Sequence, residues 1–162
     1  MKHDKKNNDF TVTIRNMIEA DLPQVVGLER RIFPDPWPLS AFAELLADNE
    51  WYSFVAGLKE VVTGYACFLV VAGECHLANI AVDPAFRRKS VAKHLLDRIF
   101  DVASENRCVA MLLEVRVSNK DAIAFYERFG FEELYRRIRY YRNPVENALV
   151  MIKDLGAGTE DE

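Results

Sequence analysis

Residues 79–96, NIAVDPAFRRKSVAKHLL, read as the end of a β-strand, a tight turn and the start of a helix, and that reading decides the fold. ECHLANIAVDP is a strand stopped by Asp83-Pro84, a strong turn signal. VAKHLLDRIFDVASEN is the clearest helix of the chain, with Val91, Leu95, Ile99 and Val102 along one stripe. Between strand and helix stand Arg87, Arg88 and Lys89. Positive charge is unfavourable there, because a helix N-terminus already carries roughly +0.5 of a charge. Two readings remain open. The first-turn N–H groups form an anion site and the cations await a multiply charged ligand; or the cations are a solvated loop, costing about a few tenths of a kcal/mol. Neither G-x-x-x-x-G-K-[ST] nor G-x-G-x-x-G is present.

Working outward, DFTVTIR alternates like a strand, and EADLPQVVGLERRIF reads as a helix with Asp21 at or near its N-cap and Pro23 in its first turn. FPDPWP holds three prolines and is a loop; LSAFAELLADN is helical in period. WYSFVAGLK and VVTGYACFLVVAG form a hairpin around Gly57–Glu60. Downstream, CVAMLLEVRV is a strand and NKDAIAFYERFG a short helix closed by Gly130. FEELYRRIRYYR and NALVMIKDL finish as two strands around Asn143-Pro144. The order is β-α-α-β-β-β-α-β-α-β-β, without repeat or linker. This predicts one α/β (α+β) domain over residues 10–155, a mixed sheet of six to seven strands flanked by four helices, with polar tails at 1–9 and 156–162.

Composition narrows the function. The chain has 162 residues, half of them apolar, enough for one sizeable core. Its net charge of −4 argues against bulk nucleic-acid binding. No run approaches the apolar length of a membrane span, and MKHDKKNND is too polar for a secretion signal. Cys67, Cys75 and Cys108 are odd in number and widely spaced. They suit three buried thiols in a reducing, cytoplasmic setting and not a disulfide or zinc framework. With His3, His76 and His94 scattered as well, no metal is expected.

In LLEVRV the alternation puts Leu113, Val115 and Val117 on one face and Leu112, Glu114 and Arg116 on the other. A carboxylate in an otherwise apolar strand needs a partner, water or a task. Glu114 either pairs with Arg116 or another cation, or it does chemistry. Tyr126, near Ile123 and Phe129 on a helical stripe, suits a core position with a satisfied hydroxyl.

The spacing R-x-x-S-x-A from Arg87 to Ala92, followed by LLEVRVSNKDAIAFYERFGF, resembles the coenzyme-A signature [QR]-x-x-G-x-[GA] of the GNAT acetyltransferase superfamily. More narrowly, FPDPWP, NIAVDP, LEVRVSN, AIAFYERFGF and RYYRNPVENALVM, five segments in order, resemble the bacterial ribosomal-protein-alanine N-acetyltransferases (RimI type). The resemblance runs from about Phe10 to Leu155. It implies acetyl-CoA in a splay between two strands, with the pyrophosphate on the turn formed by Arg88, Lys89, Ser90, Val91, Ala92 and Lys93. It further implies pantetheine pairing by the backbone of Ile80, Ala81 and Val82 and a contact from Asn119. Glu114 aligns with a proposed general base, acting directly or through one water. Tyr126 aligns with the general acid for the departing thiolate, a phenol near pKa 10 facing a thiol near about 8.5. Phe33, Trp37, Tyr140 and Tyr141 match segments framing a peptide entrance, although each equally suits packing over the sheet.

Ser90 departs from the motif glycine. Held in a left-handed conformation, it costs roughly 1–2 kcal/mol; as an N-cap or phosphate donor its hydroxyl would compensate. As for the acceptor, an α-amine of pKa about 7.7–8.0 is roughly a tenth to a third neutral near neutral pH, a lysine about one part in a thousand or less. One carboxylate base therefore suits N-terminal chemistry. The expectation is transfer of acetyl from acetyl-CoA to an N-terminal alanine of a small-subunit ribosomal protein, by direct attack in a ternary complex. The same chemistry on a lysine, polyamine or small amine is the alternative, and a non-catalytic CoA-binding module the second. No membrane partner is expected, and the oligomeric state is unspecified.

Overall fold

A computed structural model describes residues 11–156. The tail expected at 1–9, and all of the one expected at 156–162 except Gly156, lie outside them. Seven strands and four α-helices follow in the expected order: β1 (Thr13–Asn16), α1 (Leu22–Ile32), α2 (Leu39–Ala47), β2 (Trp51–Leu58), β3 (Val61–Val71), β4 (Glu74–Val82), α3 (Val91–Glu105), β5 (Ala110–Arg116), α4 (Lys120–Arg128), β6 (Glu132–Tyr141) and β7 (Glu146–Asp154). They form one sheet in the order β1-β2-β3-β4-β5-β7-β6, in which only the β4–β5 pair is parallel. That parallel step needs a crossover, and α3 supplies it.

Each face of the sheet carries two helices. Val91, Leu95, Leu96 and Ile99 of α3 and Tyr126 of α4 pack with Phe68, Leu77, Met111 and Leu113 on one face. On the other, Leu22, Val25 and Val26 of α1 and Phe42 of α2 meet Val55, Tyr65 and Ala81. Period-two alternation in the central strands, buried on both faces, feeds both layers.

Two details place the site. β4 and β5 pair only from Glu74↔Ala110 to Leu77↔Leu113. Beyond that β4 stays with β3 as far as Val82, while β5 stays with β7 as far as Arg116. The parting coincides with a bulge opposite Cys67/Phe68, where Ala78 is the extra residue, and bulges bend strands. Gly64 sits behind the opening. A Cβ there would lie 2.8 Å from the Ala81 carbonyl and 3.2 Å from Val91 Cγ1, so its absence lets α3 begin hard against the sheet.

Candidate active site

The expected anion turn is a strand–turn–helix. Asp83 starts a short 3-10 turn at Pro84–Phe86, accepting from the Ala85 N–H at 3.0 Å. Arg87, Arg88, Lys89 and Ser90 are all exposed, and α3 begins at Val91. Ser90 is its N-cap with φ 61° and ψ 19°, the left-handed conformation that glycine adopts freely. Its side chain makes no capping hydrogen bond. The strain anticipated for serine is therefore present in the folded chain, and the compensating cap is not. Arg88 is left-handed too, at φ 61°. Val91 is 1% exposed, so only its backbone can meet a ligand. Ala92 is half-buried, and Lys93 pairs with Asp97 at 2.7 Å.

The open edge of β4 has a defined polarity. Asp83 N–H donates to the Thr63 carbonyl at 2.8 Å. By strand alternation Ala81 also turns its backbone groups to β3, leaving those of Ile80 and Val82 for the gap. The open edge thus offers two residues for pantetheine pairing where three were expected. Across the gap, Asn119 is the N-cap of α4, its Oδ1 accepting from Ala122 N–H at 3.2 Å, so its amide nitrogen is the part left for a ligand.

On the α1–α2 face, Glu114 opens onto a cavity of about 190 Å³ lined by His76, Ala78, Leu112, Tyr135 and Arg137. Its side chain is 30% exposed, and its partner is Arg137, Nε to Oε1 3.0 Å. Of the partners expected, Arg116 or another cation, it is another cation that pairs; Arg116 is occupied elsewhere. It donates to Glu146 at 3.2 Å and to the carbonyls of Pro144 and Arg142 at 3.0 and 2.9 Å, with its guanidinium 4.5 Å from the Tyr141 ring centroid. Arg116 thereby ties down the β6–β7 turn. Arg137 lies between the rings of Tyr135 and Tyr140, at 5.7 and 5.5 Å. A bulge between Arg137 and Tyr141, with Arg139 at φ 51°, re-aims this part of β6.

Two phenols, Tyr140 and Tyr141, interact with the carboxylate. Tyr140 and Tyr141 meet edge to face at 5.0 Å. The Tyr140 phenol is raised by hydrogen bonding with Glu114, then by burial. Burial, with Glu114 and Tyr140 adding to it, pushes Tyr141 up to about 12. Tyr126, 6% exposed, is raised by burial and by its neighbour Tyr141. Tyr126 packs in the α3–α4 layer while Glu114 projects from the opposite face, and Tyr141 interacts electrostatically with both. Phe33 and Trp37 belong to the other layer, Trp37 lying 5.5 Å from Phe42; no ring contact joins them to Tyr140 or Tyr141 among the described residues.

A family model described as acetyltransferase (GNAT) family matches residues 22–131. The chain belongs to the acetyltransferase (GNAT) family. It is an N-acetyltransferase whose acetyl donor is acetyl-CoA. The chain is 33% identical over 141 residues to the [ribosomal protein bS18]-alanine N-acetyltransferase of Escherichia coli K12, covering 86% of this chain and 95% of that protein. It is also 33% identical to the N-alpha-acetyltransferase RimI of Mycobacterium tuberculosis, over 90% of this chain and 94% of that one. The crystal structure of the Escherichia coli ribosomal-protein-S18-alanine N-acetyltransferase superposes with a TM-score of 0.85 at 31% identity, covering 94% of this chain and 99% of that chain.

The three cysteines are free and buried, and burial pushes Cys67 and Cys75 up to about 12. They are inert thiols, not nucleophiles. Among the described residues no three His, Cys, Asp or Glu side chains gather as a metal site, and no helix is long and apolar enough to cross a membrane.

Sequence reasoning missed Arg137, Tyr135 and Glu146. No local signal points to the first, because RRIRYYR meets LLEVRV only across β7.

Proposed function

We propose that this acetyltransferase modifies the α-amine of an N-terminal alanine, with the small-subunit ribosomal protein bS18 as its natural acceptor. The observation that carries the reading is the placement of Glu114. A half-open carboxylate is pinned by Arg137 and ringed by Tyr135 and Tyr140 at the mouth of the β4–β5 gap. The relatives named for ribosomal-protein alanine acetylation, matching along most of this chain, support the acceptor.

Acetyl-CoA lies along Ile80 and Val82, its pyrophosphate on the turn from Arg88 to Lys93 and its further arm near Asn119. Phe33, Trp37, Tyr140 and Tyr141 frame the acceptor. The neutral α-amine attacks the thioester carbonyl carbon directly, forming the C–N bond and a tetrahedral oxyanion. Glu114 takes the amine proton, directly or through one water. As the intermediate collapses the C–S bond breaks, and Tyr126 donates its proton to the leaving sulfur. Proton exchange with solvent then restores Glu114 and Tyr126, and the net products are N-acetyl peptide and free CoA thiol. Burial raises the phenol above the value assumed from sequence, so Tyr126 stays protonated throughout the working range. The same dry surroundings raise the departing thiol as well, which keeps the transfer feasible. Three free, buried thiols suit the cytoplasm as the place of action.

The test is a peptide with a free N-terminal alanine and internal lysines, incubated with acetyl-CoA and sequenced by fragment mass spectrometry. Acetyl on the alanine amine alone is the expected result. Acetyl on lysine alone would contradict the proposal and favour the lysine or small-amine reading.

A further inference from the structure

The last turn of α1 carries a carboxyl that the chemistry above does not use. Glu29 is 2% exposed and continues the buried helical stripe of Leu22, Val25 and Val26. Among the described residues no cation pairs with it. Neutral donors from three separate segments converge on it instead. Oε1 accepts from the Trp37 backbone N–H at 3.1 Å. Oε2 accepts from Asn79 Nδ2 at 2.9 Å and from the Tyr65 hydroxyl.

Removing a carboxyl from water without an opposite charge is costly, and an apolar side chain at this stripe position would avoid that cost. The partners show what the carboxyl accomplishes. Trp37 belongs to the 33–38 loop between α1 and α2, whereas Asn79 directly precedes Ile80 at the open edge of β4. Two residues beyond Glu29, Arg31 approaches Asp83 at 3.6 Å. The end of α1 therefore grips β4 on both sides of Ile80–Val82, and Glu29 also holds the loop.

We infer that Glu29 is a positioning residue: it locks the 33–38 loop to the strand that carries acetyl-CoA and so sets the passage by which an acceptor amine reaches Glu114. This rests on the proposed function, in which that loop frames the acceptor. Glu29 touches neither reactant. Its removal loosens acceptor binding and leaves the chemical step and the donor site intact.

The experiment compares wild type with Glu29→Ala and Glu29→Gln by steady-state kinetics, acetyl-CoA titration and NMR-detected hydrogen exchange at the Trp37 amide. In Glu29→Ala, losing the carboxyl acceptor should speed Trp37 exchange and raise peptide KM by about tenfold each. Turnover per folded molecule and acetyl-CoA Kd should stay within about twofold of wild type. Glu29→Gln keeps one acceptor oxygen and should fall between. An unchanged peptide KM in Glu29→Ala, or an equal rise in acetyl-CoA Kd, overturns the inference. If Glu29→Ala does not fold, Glu29→Gln decides alone, and unchanged exchange together with unchanged KM is the contrary result. A wild type that acetylates only lysine would defeat the proposed function, while Glu29 would still be judged from the KM of that lysine peptide.

Discussion

Two carboxylates on one face of this molecule are treated in opposite ways. Glu29 is closed off from water and held by three neutral donors contributed by the 33–38 loop, β3 and β4. Glu114 keeps nearly a third of its side chain exposed, has one strong cationic partner in Arg137, and borders a cavity. A group closed off from water and held by donors from three segments can hold parts together but meets no reactant. A group with one side fixed and the other open can take a proton and release it. On that difference rest the two proposals, architecture for Glu29 and chemistry for Glu114.

The largest effect that would break this contrast is expected at Glu114. Glu114→Gln should lower kcat by about 10²–10⁴-fold, the usual worth of a general base, with a melting temperature near wild type. Tyr126→Phe should cost about 10²-fold in kcat, at the low end of that range because direct attack proceeds without full protonation of the sulfur. A kcat unchanged in Tyr126→Phe at any pH would remove the phenol from the reaction.

Two smaller effects are read in stability. Ser90→Gly relieves a left-handed serine that gains no cap, so thermal unfolding should shift upward. Relief of about 1–2 kcal/mol, less the entropic cost of glycine, leaves about 1 kcal/mol, or about 2–4 °C at this chain length. A lower melting temperature would show that the serine side chain contributes something the fold needs.

Asp21 gives the smallest and most pH-specific effect. Arg15 meets it with two hydrogen bonds of 2.7 Å, and Ile18 N–H with one of 2.9 Å. Hydrogen bonding to Arg15 comes first in holding the Asp21 carboxyl below its ordinary range. A carboxylate depressed in the folded state stabilises the protein above its unfolded pKa, about 3.9, and that stability is lost as pH falls through the lower folded value. Asp21→Asn should therefore melt about 2–3 °C below wild type at pH 7, after discounting for the half-exposed Arg15. The gap should close as the pH drops below about 4. A gap that stays constant across that window would remove ionisation from the explanation.

The parts legible in the sequence are those encoded locally. The strand that stops at Asp83-Pro84, the stripe beginning at Val91, and Gly130 with φ 89° just past α4 are each written within a few neighbours. The same holds for Ser90, whose strained conformation follows from standing where the turn needs a glycine. Asp21 was half legible. It is the N-cap of α1, but its carboxylate turns back to Arg15 and Ile18 and leaves the helix uncapped by its side chain. What stayed hidden depends on strand order and register. Arg137 reaches Glu114 across β7, which inserts between β5 and β6, so the pair follows from strand order. Ala81 looked equivalent to Ile80 and Val82 until pairing to β3 fixed which backbone groups face the gap. Nothing in the sequence singles out Glu29 except its spacing from Leu22, Val25 and Val26 on the stripe that the structure buries.

One acceptor-peptide titration at saturating acetyl-CoA, run on wild type, Glu114→Gln and Glu29→Ala, tests the division of labour most directly. Glu114→Gln should lose at least about a hundredfold in kcat with peptide KM nearly unchanged. Glu29→Ala should raise peptide KM about tenfold with kcat nearly unchanged. The reverse pattern, kcat lost at Glu29 and KM alone altered at Glu114, would contradict the assignment of chemistry to the open carboxylate and architecture to the buried one.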